Sequence, residues 1–409
     1  GWLSHKNKSP ALAQVSPEGG TRMFKHKSFS VETDEGALAD LHSRLRETRW
    51  PSEPVGADWR HGTDLSYLKC LTTYWLHDYN WSAAVDRING FRQFITNVPL
   101  DCDTLDLHFI HEQGSSSDRL PLLLLHGWPG SIAEFLDFIP PLAYPDRFGG
   151  DAADGFEVIA PSLPGFAFSE APPAPIGPRA VARLLLQFMT ETLGHKRFCI
   201  QGGDWGAIIG TQMAVLAPET VTALHVNAVP VRPYLGPGSQ PLTQEEQHWL
   251  KTARAVRSQE TGYQAIQGTR GQTLAYALTD SPVGLAAWIV EKFQRWSDPN
   301  ALKPPFSADQ LLTNIMLYWL TGTINTSTWL YRGIREESSF SLETVDGVLP
   351  PMALCLPPND LFPPPPRSWI ERLGNVARDT RLETGGHFTA MEKGPELLTD
   401  LRAFFRDYR

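Results

Sequence analysis

One short stretch narrows what this chain can build more than any other: an aspartate set among glycines between an apolar run and a helix-compatible run. Phe198-Cys199-Ile200-Gln201 reads as a buried strand, Gly202-Gly203-Asp204-Trp205-Gly206 as a tight turn, and Ala207-Ile208-Ile209-Gly210 as the start of a helix. Small residues two before and two after the central position let a strand bend sharply into a helix, which lifts the central side chain above the sheet. The helix amino terminus beneath it favours an anion, so Asp204 is expected to stay ionised. A turn aspartate that only caps its helix would show the same local pattern. The residues that accompany it decide between the two.

Other strand-like runs supply the frame. Leu105, Leu107 and Phe109 alternate, and apolar runs follow at 120–125, at Val158-Ile159-Ala160 and at 352–356, with a further strand expected near Arg381 to Glu383. Helical stretches separate them, the pattern of a mainly parallel sheet covered on both faces, with active sites beyond the carboxyl ends of its strands. The chain divides into a flexible tail (1–23), a helical leader (24–100), a first core part (101–230), a helical cap (231–345) and a second core part (346–409). In the leader, Leu38, Leu41 and Leu45 recur at helical steps and Trp50-Pro51 stops that helix, after which Leu68, Leu71 and Trp75 mark another. Long helical patterns at 285–296 and 311–320 fill the cap, and a helix from Pro395 to Phe405 closes the chain.

Composition excludes several classes of partner. Acidic residues outnumber basic ones 45 to 36 and no basic block offsets them, which argues against nucleic acid and anionic membranes and for a small neutral substrate. Cys70, Cys102, Cys199 and Cys355 lie far apart and form no CxxC pair, so neither a zinc knuckle nor a disulfide framework is expected. No run approaches the ~18 apolar residues of a membrane span, and a soluble, cytoplasmic protein without a membrane anchor is expected. A homodimer is left open.

The chemistry follows from the central aspartate. A carboxylate needs no base to become a nucleophile, and its attack on saturated carbon gives an alkyl ester that water must then cleave. Cleavage needs a histidine base, an acid to orient it and donors for the oxyanion. His387, in Gly385-Gly386-His387-Phe388 after the last expected strand, is the natural base; His126 has a comparable setting, but its turn suits a structural role. Asp360, in Pro358-Asn359-Asp360-Leu361, follows the strand at 352–356 and supplies the acid. Nucleophile, acid and histidine then occur in the chain order of α/β-hydrolases. His126-Gly127-Trp128-Pro129-Gly130-Ser131 forms a turn whose exposed amides suit an oxyanion hole, which is assigned to the backbone N–H groups of Trp128 and Trp205.

With these residues in place, the chain from Phe24 onward resembles the microsomal-type epoxide hydrolase family. The match is carried by Arg46-Glu47-Thr48-Arg49-Trp50-Pro51, the HGWPGS turn at 126–131, GGDWG at 202–206, ETGYQAIQGT at 260–269 with DSPVGLAAWIVEKF at 280–293, and the final GGHF. The resemblance implies an α/β-hydrolase fold, a cofactor-free and metal-free conversion of small hydrophobic epoxides and water to vicinal diols, and Asp204, Asp360 and His387 as nucleophile, acid and base. It also implies two cap tyrosines above the epoxide, matching Tyr263 and Tyr331. Two phenols in a dry pocket suit an opening epoxide, because they donate to the alkoxide it generates. Tyr276 and Tyr318 compete for that position, Tyr318 with the character of a core residue. Two other readings accompany this one: a haloalkane dehalogenase using the same three residues, with the indoles of Trp128 and Trp205 binding halide, and a non-catalytic ligand-binding protein of the same fold.

Overall fold

In a computed structural model of the chain, the described residues are 26–101, 103–302, 304–337, 342 and 349–409. The expected tail at 1–23 lies outside them, as does Cys102. Nine strands form a single sheet: β1 (Lys27–Phe29), β2 (Gln93–Leu100), β3 (Asp103–Glu112), β4 (Leu120–Leu125), β5 (Phe156–Pro161), β6 (Phe198–Gly202), β7 (Val221–Val226), β8 (Met352–Leu356) and β9 (Val376–Arg381). Their order is β1-β2-β3-β5-β4-β6-β7-β8-β9. The β1, β2, β3 and β5 pairings are antiparallel, and every pairing from β5 through β9 is parallel. The central strands β4, β6 and β8 are built almost wholly from apolar residues because helices cover both of their faces.

The leader differs from its expectation. It contains helices at Glu35–Arg46, Leu65–His77 and Trp81–Asn89, but it also contributes β1 and β2 to the sheet. The residues of β2, QFITNVPL, do not alternate, since their pattern of burial is set by pairing with β3 along the whole strand rather than by one wet face. The first helix ends at Arg46, before Trp50-Pro51, once the amide of Glu47 has bonded the carbonyl of Ser43. Likewise the last strand runs over Val376–Arg381, five residues ahead of the stretch expected for it at its start, because parallel pairing with Met352–Leu356 selects those residues although few are apolar.

Between β7 and β8 the chain is helical. Helices cover Gln244–Glu260, Gly262–Gln267, Gly271–Asp280, Pro282–Arg295, Ala308–Thr321, Ile324–Ser327 and Trp329–Glu337. Two begin with reciprocal caps, Thr243 with Glu246 and Ser307 with Gln310, which satisfy amides at each helix start. No single described helix is long and apolar enough to cross a membrane. The leader grips this helical layer through specific contacts. Arg44 pairs with Asp280 at 3.0 Å, the Thr63 hydroxyl donates to the Ala287 carbonyl at 2.6 Å, and the Tyr74 hydroxyl donates to Asp309 at 2.8 Å. At the centre of the contact Trp75, 1 % exposed, directs its indole N–H at the sulfur of Met316.

Trp75→Ala is therefore expected to remove about 3–5 kcal/mol of stability by emptying an indole-sized volume at that junction. Urea unfolding at neutral pH measures it, and a loss below about 1 kcal/mol would show that the leader contributes little to holding the helical layer.

Candidate active site

The sheet brings the decisive turns together. β4 and β6 are parallel neighbours with Leu125 opposite Gly202, so the turn that follows β4 and the turn that follows β6 leave the same edge side by side. Asp204 occupies the second turn with φ 49° and ψ −126°, a left-handed backbone that L residues rarely adopt, and the helix Trp205–Leu216 begins immediately after it. A non-glycine residue in that region is held by its surroundings and is a recurrent mark of functional sites. Two glycines make the approach geometrically feasible. A Cβ on Gly206 would lie 2.2 Å from the Leu125 carbonyl oxygen, and one on Gly127 would lie 2.3 Å from Oδ1 of Asp204.

That carboxylate is already engaged. The backbone N–H of Trp128 donates to Oδ1 at 2.8 Å. Trp205 is the first residue of its helix, so its N–H has no acceptor within the helix. Oδ2 lies 3.2 Å from Nε2 of His387, in contact but without the alignment of a hydrogen bond. On the far side of the imidazole, Nδ1 lies 2.5 Å from Oδ1 of Asp360. The acid and histidine loops are tied to each other: Asn359 bridges to Gly386, and its amide donates to the Gly385 carbonyl at 3.2 Å. His387 is further fixed by its amide, which donates to the Trp296 carbonyl at 2.7 Å, and by the Trp296 ring 4.9 Å away. Burial opposes a charge on His387, but the carboxylates of Asp360 and Asp204 outweigh it and hold the imidazole pKa well above its ordinary value.

Tyr263 and Tyr331 are nearly buried, at 4 % and 7 % exposure, and line the same cavity as Asp204, Asp360 and His387. The Tyr263 ring stacks on Trp128 at 5.4 Å, and the edge of Tyr331 meets Trp205 at 4.8 Å, so each phenol packs on one of the two tryptophans that flank the nucleophilic position. Burial, reinforced at Tyr263 by the Asp204 charge and at Tyr331 by Tyr263 and Asp204, raises both phenol pKa values, so both remain protonated donors. The competing tyrosines are elsewhere. Tyr276 is 71 % exposed, and Tyr318 is buried with its hydroxyl donating to the Gly130 carbonyl at 2.5 Å. His126 is structural: Nδ1 meets the Gly127 carbonyl at 3.1 Å, Nε2 accepts from Leu163 N–H at 3.1 Å, and burial lowers its pKa to about 4.

The cavity holds about 500 Å³ and is mostly apolar, walled by Ile208, Val231, Leu361, Phe362 and Trp369 above the charged floor. Behind the carboxylate lies a second space of about 10 Å³, enough for one water, lined by Glu134, Asp204, Asn227 and His387. Burial, with the Asp204 charge adding to it, pushes the Glu134 carboxyl up to about 8. Glu134 and Gln264, whose amide donates to the Tyr263 hydroxyl at 2.9 Å, touch the site without a signal strong enough to find them in the sequence. The only hint for Glu134 was its place three residues past Ser131 in the turn. Among the described residues, no cluster of His, Cys, Asp and Glu is arranged to hold a metal ion.

Comparison with known proteins matches this arrangement to a family. Residues 26–135 match the family model described as the epoxide hydrolase N terminus, and residues 121–283 match the alpha/beta hydrolase fold. Epoxide hydrolase 1 of Sus scrofa is 35 % identical over 410 residues, an alignment covering 92 % of this chain and 88 % of that protein. Among solved structures, the juvenile hormone epoxide hydrolase of the silkworm Bombyx mori superposes with a TM-score of 0.82 at 28 % identity, covering 94 % of this chain and 95 % of that one. The epoxide hydrolase of Aspergillus niger superposes with a TM-score of 0.80 at 29 % identity, covering 95 % and 97 %. With an amino-terminal segment particular to epoxide hydrolases joined to the hydrolase fold, and identity sustained along nearly its whole length, the chain belongs to the epoxide hydrolase family.

Proposed function

We propose that this epoxide hydrolase converts its substrate to a vicinal diol in two steps, through an alkyl ester on Asp204. The observation that carries the reading is the Asp204 carboxylate pinned at Oδ1 by the Trp128 amide, with Oδ2 beside His387 and two protonated phenols lining the cavity it faces. In the first step Oδ2 bonds to a ring carbon, the carbon–oxygen bond of the epoxide breaks, and its electron pair goes to the ring oxygen. Tyr263 and Tyr331 donate to that oxygen as its charge develops, and one of them passes it a proton, which the proton given up by His387 replaces through solvent. In the second step a water attacks Cγ of the ester, His387 takes its proton, and the Trp128 and Trp205 amides receive the charge on Oδ1; the Cγ–Oδ2 bond then breaks, the diol leaves with Oδ2 and the second proton of the water, and the Asp204 carboxylate is restored with the water's oxygen. The small space beside Glu134 and Asn227 is where that water waits.

The charges explain the order of events. In the free enzyme His387 lies between two carboxylates and keeps its proton. Ester formation abolishes the Asp204 charge, one of the causes that raise the His387 pKa, so the imidazole becomes a competent base only once there is an ester to cleave. The tyrosines favour this reading over a haloalkane dehalogenase, because the cavity presents phenols where an alkoxide forms. A reading without catalysis leaves the converging Asp204, His387 and Asp360 unexplained. The cytoplasmic location expected from the sequence stays within the proposal, supported by the free thiols of Cys70, Cys199 and Cys355.

Asp204→Ala is expected to abolish turnover, and His387→Gln to accumulate a covalent adduct on Asp204. Mass spectrometry of the His387→Gln protein after exposure to an epoxide checks this, and an unmodified Asp204 counts against the ester. Single Tyr263→Phe and Tyr331→Phe changes should each slow ester formation about a hundredfold, as read by single-turnover kinetics. Halide release from a haloalkane without diol formation from an epoxide would favour the dehalogenase. Because His387 is not needed as a base in the first step, ester formation should stay flat from mildly acidic to mildly alkaline pH. Ester cleavage should fall as acid protonates the imidazole. Equal pH profiles for the two half-reactions would remove the charge-coupled order.

A further inference from the structure

The cavity is not uniformly apolar. Its floor carries Asp204 and Asp360, its walls are aliphatic and aromatic, and its rim carries three arginines, Arg232, Arg254 and Arg257. Arg254 and Arg257 belong to the helix Gln244–Glu260, where residues 249, 250, 253, 254 and 257 all line the cavity, a spacing that puts them on one face. That face is held in place: the Trp249 indole donates to the Pro363 carbonyl at 2.8 Å and packs on Trp369 at 4.9 Å. The Arg257 guanidinium carbon lies over the Phe362 ring, 5.0 Å from its centroid.

Among the described residues none of the three takes part in an ion pair, while Glu246 and Glu260 of the same helix are committed to Arg372 and Arg295. The two carboxylates of the cavity are committed to His387 at its floor. Arg257 instead feels burial and the like charge of Arg232, both of which lower its guanidinium pKa. Positive charges gathered at the mouth of a low-dielectric cleft focus their field into it and draw an anion towards it.

Building on the epoxide-opening reading above, we propose that the cavity takes epoxides whose apolar body ends in an anion, a carboxylate above all, which Arg232, Arg254 and Arg257 bind at the rim while the epoxide reaches Asp204. The overall charge of the chain points to neutral substrates, but the local charge at this mouth is what a substrate meets. The chemistry matches an epoxide formed within an acid of the fatty type, with a hydrocarbon chain along the walls.

The test compares an undecanoic acid bearing a terminal epoxide with its methyl ester, in the native enzyme and in an Arg254→Gln/Arg257→Gln double variant. In the native enzyme kcat/KM for the acid should exceed that for the ester by about tenfold at low salt, and the margin should shrink as salt is added. In the double variant the two values should converge. The ratio is taken within each protein, so partial loss of folded enzyme cancels. Equal values in the native enzyme, or a ratio unchanged by the double substitution, would overturn the inference. So would conversion of styrene oxide, a neutral epoxide, with neither chain probe converted. Failure of all three epoxides to give diol would instead overturn the epoxide-opening reading beneath it.

Discussion

Everything in the site depends on the parallel pairing of β4 with β6 and the contact it enforces between their carboxyl ends. With Leu125 opposite Gly202, the backbone that leaves β4 has to pass the turn that carries Asp204 within hydrogen-bonding distance. Only glycine fits where the two approach, at Gly127 and Gly206. Pinning one carboxylate oxygen to a backbone amide orients the other without any side chain having to move. Backbone donors on rigid elements keep such a geometry more accurately than flexible side chains do.

The second constraint is the line of charge from Asp204 through His387 to Asp360. Three titratable groups set together in a largely apolar cleft, each only partly exposed, would be costly if any were left unmatched. Here two carboxylates share one imidazole, and the histidine loop is tied to the acid loop through Asn359 and Gly386 and to the helical layer through Trp296. In the proposed two-step reaction, that proton sits where the second half needs it removed. The same aromatic residues serve both packing and chemistry: Trp128 and Trp205 carry the amides beside the nucleophile, while their rings support Tyr263 and Tyr331. The helical layer above is attached on two sides, to the leader through Trp75 and to the second core part through the Glu246–Arg372 pair.

Much of this was legible in the amino-acid sequence. Four apolar runs, at 120–125, 158–160, 198–201 and 352–356, announced central strands, because strands covered on both faces must be apolar throughout. The strands at 27–29, 93–100 and 221–226 were not expected, and that at 376–381 only from its last residue, since pairing depends on which neighbour lies alongside rather than on a local apolar pattern alone. His126 and His387 both stand next to glycines. The structure separates them, with the first locked between Gly127 and Leu163 and the second set between two carboxylates. Glu134 and the arginine rim were illegible, as nothing in their neighbours along the chain says that they face a cavity.

By itself the sequence determined the strand, the glycine-flanked turn and the helix that display Asp204, because backbone sterics over residues 198–210 leave few alternatives. It also determined the chain order of Asp204, Asp360 and His387, and through its motifs the family. Only the tertiary structure decided that residues 128, 204, 263, 331, 360 and 387 meet, which phenols join them, and that three exposed arginines without an ion pair among the described residues line the same cavity. Those facts depend on sheet order and on contacts between residues far apart in the chain, 76 positions for Trp128 and Asp204 and more for the tyrosines, and no local rule encodes distances of that kind.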